Sequence, residues 1–333
     1  MRTSCLPGNV AERSEMSTLD SAPNRTSNVV RLPVADRGVA GIADGDGREA
    51  AFIPAGLRTL ADIDYLRHFD RGIYHDLDLE LTLDYMRRRF VAPVSQHLDI
   101  RAATILDCAA GFGWLSFAYL LAGGRHAVLV EMDAPRLDAA RAIAERLGIA
   151  RRCTFVPSRL QDIDFGVDAV DIVASVETLE HVGRDNIRAG IRAMTRAASR
   201  VVVLTTPNFL FPVVAHDTEL PFAHWLPASL RRRYAAAKGR ADLDRGNQFL
   251  MPWDLAPLAG KFRPVSRYQT FATRDEYDRF YPHYMPYGAD RTQRIRLAPK
   301  RGQRALHRGL AAALGNYSFA LAPNLASVWL RRD

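Results

Sequence analysis

The stretch ATILDCAAGFGWLSFAYLL, residues 103–121, joins a short β-rich run to a long apolar segment through a turn holding two glycines. Ala103 to Asp107 has the length and composition of a buried strand, and the segment from Leu115 has those of a helix. Gly111 and Gly113 lie between them. Glycine there lets the backbone approach a ligand closely, and the N-terminus of the following helix offers free N–H groups to an anionic group.

Outward from this stretch the same alternation continues to Val203. Further β-rich runs are AVLVE (127–131), CTFV (153–156), VDIVASV (170–176) and SRVVVLT (199–205). Between them, Pro135 to Leu147 reads as a helix with Asp133 or Ala134 at its N-cap, an apolar face of Leu137, Ala140, Ala144 and Leu147, and Gly148 as its stop. Arg184 to Ala198 reads as another, with Ile187, Ile191, Met194 and Ala198 on one face. Alternation of this kind predicts an α/β fold with a doubly wound, mostly parallel sheet and ligands at the carboxyl ends of its strands.

Residues 1–50 have few large apolar side chains and are expected to form a mobile tail. Leu66, Phe69, Ile73, Leu77, Leu81 and Tyr85 recur at helical spacing, so residues 51–102 are expected to form a helical cover over one end of the sheet. The main domain then runs over 103–333, with acceptor-side insertions at about 209–264 and 272–322. Two more strands, VSRYQTF (265–271) and LASVWLR (325–331), fall around the second insertion.

The composition, 48% hydrophobic and 25% charged, is that of a globular protein, and no apolar run approaches the ~18 residues needed to cross a bilayer. The opening residues MRTSCLPGNVAERSEM lack a secretory core, which predicts a cytoplasmic protein. Cys5, Cys108 and Cys153 form no CxxC pair, arguing for reduced thiols. The net charge of +8 would suit nucleic acid or a phospholipid surface. However, Lys238, Lys261 and Lys300 are the only lysines, so 42 of the 45 basic residues are arginines dispersed along the chain, a pattern that codon bias alone produces. Nucleic acid is therefore not expected as a partner, whereas peripheral membrane contact is compatible with the sequence; oligomeric state is not legible.

Glu131 follows Gly111 by twenty residues and ends the second β-rich run, where a carboxylate can accept both hydroxyl protons of a ribose. A dinucleotide site shares this spacing. Its third glycine would fall at Ser116, and Asp107 beside a pyrophosphate would add repulsion. Beside an ammonium and a sulfonium Asp107 adds attraction, which favours S-adenosylmethionine. The competing readings are a nicotinamide-dependent oxidoreductase or epimerase using the same loop, and a non-catalytic protein that binds an adenosyl cofactor.

ILDCAAGFG (105–113) resembles the first motif of the class I S-adenosylmethionine-dependent methyltransferases, and VEMD (130–133) their second. RLQDIDF (159–165), DIVASVETLEHV (171–182) and VVVLTTPN (201–208) resemble the adenine segment, the fourth-strand motif and the fifth strand. The resemblance implies a Rossmann-like methyltransferase fold of seven strands whose last runs antiparallel, and methyl transfer to an O or N atom of a small-molecule, sugar or lipid-linked acceptor. It implies that Gly111 and Gly113 contact the methionine part near Asp107, that Glu131 holds the ribose, that Met132 packs on adenine and that Gln161 or Asp162 takes its amine. Ala109 stands where the family usually has its first glycine, and Arg159 where an acid is common.

Glu177, Glu180 and His181 follow the fourth strand at i, i+3, i+4, a spacing at which all three can face the transferred methyl. His181 or His216 is the candidate general base. Glu177, Glu180, His181 and His216 also resemble a divalent-metal set of small-RNA 3′-end methyltransferases, although no metal is the expected state. The segments 216–234 and 276–287, rich in aromatics, are expected to form the acceptor pocket or a lid. In the basic run 294–310, Pro299 and Gly302 are expected to interrupt a continuous amphipathic helix.

Overall fold

The computed structural model describes residues 79–162, 164–214, 217–244, 246–267, 273 and 301–333. The tail (1–50), the first part of the helical cover including Leu66 to Leu77, His216 and the aromatic segment 276–287 lie outside the described residues.

Seven strands form one sheet: β1 (Thr104–Cys108), β2 (His126–Glu131), β3 (Cys153–Pro157), β4 (Val170–Val176), β5 (Ala198–Thr205), β6 (Phe262–Arg267) and β7 (Ser327–Arg331). Their order is β3-β2-β1-β4-β5-β7-β6. The pairs among β1 to β5 are parallel, and β7 runs antiparallel to both β5 and β6. The sixth strand begins at Phe262, three residues before the expected run. Fully buried Phe262 and the cross-strand pair Phe262–Arg331 extend the ladder there.

Successive residues of β1 serve different cores because side chains alternate across a strand. Ile105, Leu129, Ile172, Ala174 and Val203 point to one face; Leu106, Cys108, Val128, Val173 and Val202 point to the other. The first face is covered by α1 (Leu79–Met86), α2 (Trp114–Leu121) and α3 (Ala134–Arg146), and the second by α4 (Arg184–Ala197) and the β6–β7 side of the chain. Asp133 caps α3 by accepting the Arg136 N–H at 3.1 Å.

Helix α2 explains the placement of the N-terminal cover. From Trp114 to Leu120 every side chain is buried, so α2 needs apolar cover on its outer side as well as from the sheet. Helix α1 supplies it through Leu79 and Leu83. The described part of the cover, from Leu79, thus packs on a face of the sheet. Tyr119, fully enclosed, donates to the carbonyl of Ala103 at 2.6 Å and so ties α2 to the start of β1.

Among the described residues the longer helices that follow are α5 (Ala228–Ala237) and α6 (Arg301–Leu314). Helix α6 runs through Gly302, contrary to the expected interruption, because Gly302 lies in the first turn and Pro299 precedes the helix. Among the described residues no helix is long and apolar enough to cross a membrane.

Candidate active site

The strand order reverses between β1 and β4, and the loops leaving the carboxyl ends of these two strands face one crevice. The first loop is 109–113. Gly113 precedes α2 with φ +82°, and a Cβ there would lie 2.6 Å from the Phe117 ring and 2.8 Å from Leu129. Only glycine fits between them. Gly111, at φ +57°, has a looser surround, with Arg136 Cδ at 3.8 Å. Ala109 takes φ +56° with a side chain that is exposed, so its methyl meets no packing barrier and bears only the left-handed strain.

Glu131 fixes this loop. It is buried at the end of β2, where Oε2 accepts the Gly111 N–H at 2.9 Å and Oε1 accepts the Asp133 N–H at 3.0 Å. Each oxygen keeps a second lone pair for a ligand hydroxyl. Met132 beside it is 63% exposed, an apolar side chain turned to the outside at the strand end.

Asp107 lies beneath the loop, buried, with Oδ2 accepting the Ser116 hydroxyl at 2.8 Å. Burial pushes its carboxyl up to about 7; the Ser116 hydrogen bonds oppose that shift and the Glu131 charge adds to it. Ser116, which stands where a dinucleotide loop would have its third glycine, is thus the partner of Asp107. Sequence reading could have found it from its position one turn into α2, facing the strand. Asp162 is exposed at the end of a 3₁₀ turn, Leu160–Asp162, whose first residue is buried; of Gln161 the backbone alone is described.

The second loop holds Glu177, Glu180 and His181, and the structure brings two of these together. Glu177 takes φ +50°, which ends β4 abruptly, and residues 179–181 form a 3₁₀ turn. Glu177 Oε1 accepts from Thr205 Oγ1 at 2.8 Å and Asn324 Nδ2 at 3.2 Å. Glu180 is fully buried with Oε2 accepting from Thr206 Oγ1 at 2.9 Å. Its carboxyl is held well above the usual range by burial and by the neighbouring Glu177. His181 is half-exposed and bridges outward: its Nδ1 lies 3.1 Å from Asn247 Oδ1, while its Nε2 stays 3.8 Å from Glu180 Oε1. Thr205 and Thr206 lie in the VVVLTTPN segment without a role read for them, and Asn247 and Asn324 had no motif to mark them. Among the described residues no group of three or more His, Cys, Asp or Glu is placed to hold a metal, and His216 is outside that set.

The acceptor-side insertion begins at Asn208, which is buried and donates to the carbonyls of Ala320 and Ala322. Beyond it His224 and Trp225 both reach the Phe209 carbonyl, at 2.9 and 2.6 Å. Buried Asp217 lies near an Arg231–Asp244 ion pair, and burial raises its carboxyl pKa.

A glycine loop after β1 and a buried acid closing β2, at the switch point of a doubly wound sheet, define the class of domains that bind adenosyl cofactors. Residues 105–200 match the family model described as a methyltransferase domain, so this stretch of the chain carries such a domain. Among curated proteins, the ribosomal protein L11 methyltransferase of Sodalis glossinidius is 35% identical over 79 residues, 23% of this chain and 27% of that protein. The chain thus spans about a quarter of the length of the curated relative it matches. Similar solved structures include an S-adenosylmethionine-dependent methyltransferase from Mesorhizobium loti, 17% identical, with 74% of this chain and 98% of that one covered at a TM-score of 0.42. Another is the magnesium protoporphyrin IX methyltransferase of Synechocystis, 18% identical, with 56% and 74% covered at a TM-score of 0.38.

Proposed function

We propose that the chain transfers the methyl group of S-adenosylmethionine to an O or N atom of a small-molecule, sugar or lipid-linked acceptor. The observation that carries this reading is the buried Asp107–Glu131 pair of carboxyls around a loop that only glycine can close at Gly113. Such a site suits a ligand with a ribose and a cationic end and disfavours a pyrophosphate. In this reading Ala109, Gly111 and Gly113 pass the ligand's methionine part along the backbone, Asp107 faces its charge, Glu131 takes the ribose hydroxyls, Met132 covers the adenine, and Gln161 or Asp162 meets the adenine amine. When bound, S-adenosylmethionine supplies a methyl group on a sulfonium, open to in-line attack.

The chain's own contribution is mainly alignment, and a base is needed only if the acceptor retains its proton. His181 is the described candidate: a proton on Nδ1 donated to Asn247 Oδ1 leaves Nε2 to accept one. His216 is the second candidate. Glu177 and Glu180 fix the floor beside the acceptor.

Calorimetric titration tests the cofactor reading. The protein is expected to bind S-adenosylmethionine and its demethylated product, and Glu131→Ala to weaken both by about 1.5–3 kcal/mol for each charge-assisted ribose bond lost. Tight NADH binding without S-adenosylmethionine binding would sink it. Incubation with labelled cofactor and a metabolite extract then identifies the acceptor.

A further inference from the structure

Between Asp290 and Asp333 the sequence has nine basic residues and no Asp or Glu. Helix α6 lies within this segment and is largely exposed along its described side chains. Ala311 is its buried contact with the body, whereas Leu306 is left 60% exposed, and Arg304 and Arg308 are exposed as well. The 3₁₀ turn that continues it, Gly315–Leu321, buries Phe319 but leaves Tyr317 50% and Leu321 51% exposed. A folded protein gains nothing in water from presenting such side chains on one basic element.

This surface reaches the mouth of the candidate site. β7 is antiparallel, so the residues before Ser327 lie at the carboxyl edge of the parallel strands. There Asn208 joins two exposed leucines. Its Nδ2 donates to Ala320 and Ala322, on either side of Leu321, and its Oδ1 accepts the Leu210 N–H at 3.0 Å. The insertion beyond Leu210 presents Phe222, 49% exposed, its ring tilted at 47° to that of Trp225 with centroids 5.0 Å apart. Arg232 and Arg233 are exposed on the helix that follows.

We propose that this basic and apolar surface, α6 with its 3₁₀ continuation, Leu210 and the Phe222–Trp225 pair, docks on an anionic phospholipid membrane. Charge complementarity selects the occupant. A second copy would set arginine against arginine, while an anionic headgroup layer receives the guanidinium groups and its acyl boundary receives Leu210, Leu321 and Phe222. The aromatic pair suits the interfacial region. Docking would bring the site mouth to the lipid–water boundary and select an acceptor presented there. That last step rests on the methyltransferase reading; the docking does not.

Flotation of the full chain with vesicles tests the docking without turnover. Binding is expected to phosphatidylcholine and phosphatidylglycerol mixed at about 7:3, and not to phosphatidylcholine alone. Arg304→Glu with Arg308→Glu, and separately Leu210→Gln with Leu321→Gln, are expected to weaken it by about tenfold while leaving the melting temperature unchanged, since these side chains are exposed. The proposal is overturned if the mixed vesicles are not bound, or if neither pair of substitutions affects binding. It is equally overturned if the same substitutions disrupt only a dimer or only retention on nucleic acid. Failure of S-adenosylmethionine binding with intact flotation would instead count against the enzymatic reading alone.

Discussion

Asp107 is the residue whose chemistry is most altered by the fold. Free of a ligand its carboxyl titrates at about 7, against an ordinary 3.8, because burial penalises the anion more than Ser116 stabilises it. A raised acid favours the folded state at low pH: the contribution is fully present below the unfolded pKa and is lost as pH rises through the folded value. Asp107→Asn, which keeps an acceptor for Ser116, removes that loss and is expected to raise stability at pH 8 by up to about 4 kcal/mol. Chemical denaturation at pH 5 and pH 8 checks this, since the gain should shrink at the lower pH. In the proposed site a cationic ligand draws the Asp107 pKa down and binding expels a proton. Affinity for S-adenosylmethionine should then rise with pH through about 7 in the wild type and not in the variant. Calorimetry in buffers of different ionisation enthalpy reads the proton directly.

At the scale of the element, the loop between β1 and α2 has three positions in the left-handed region, Ala109, Gly111 and Gly113, in three different surroundings. Gly113→Ala combines that strain with contacts under 3 Å from Phe117 and Leu129, so it is expected to cost more than about 2 kcal/mol and to remove cofactor binding. Gly111→Ala meets its nearest neighbour at 3.8 Å and should cost about 1 kcal/mol. Ala109→Gly should be neutral or stabilising by less than about 1 kcal/mol, since relief of strain is partly offset by added chain entropy. Thermal unfolding of the three variants ranks them, and a Gly113→Ala protein as stable as the parent would contradict the packing described. The second loop shows where sequence spacing misleads. The i, i+3, i+4 pattern of Glu177, Glu180 and His181 predicts one shared face, yet the left-handed turn at Glu177 breaks the helical register before it starts. Glu177 and Glu180 meet, and His181 reaches Asn247 with Nδ1 while its Nε2 stays 3.8 Å from Glu180.

Across the whole molecule the C-terminal hairpin is fastened far from the site. Lys261 Nζ donates to Asp168 Oδ1 at 2.7 Å and to the carbonyls of Thr195 and Ala198 at 3.0 and 2.9 Å, and Arg331 pairs with Asp168 at 2.8 Å. This ties β6 and β7 to the end of α4 and to the amino end of β5, opposite the cofactor loop. Lys261→Met leaves two carbonyls without their donor and is expected to cost about 1–3 kcal/mol of stability. Cofactor affinity measured on the folded variant should be unchanged; a large loss would mean that the hairpin anchor and the site are coupled.

From its own pattern the sequence determined the first five strands to within a residue or so, the helices around Pro135–Leu147 and Arg184–Ala198, and the glycine loop with Asp107 and Glu131. Each of these is local: alternating or helical periodicity, caps and turn residues act over a few positions. The antiparallel last strand was implied by the family resemblance, not by periodicity. Only the tertiary structure decided that Ser116 partners Asp107, that Glu177 and Glu180 form a buried pair held by Thr205, Thr206 and Asn324, and that Asn208 joins residues 320–322 to the acceptor-side insertion. These contacts connect residues up to 147 positions apart, and which partners meet depends on strand order and on burial, neither of which a local pattern contains.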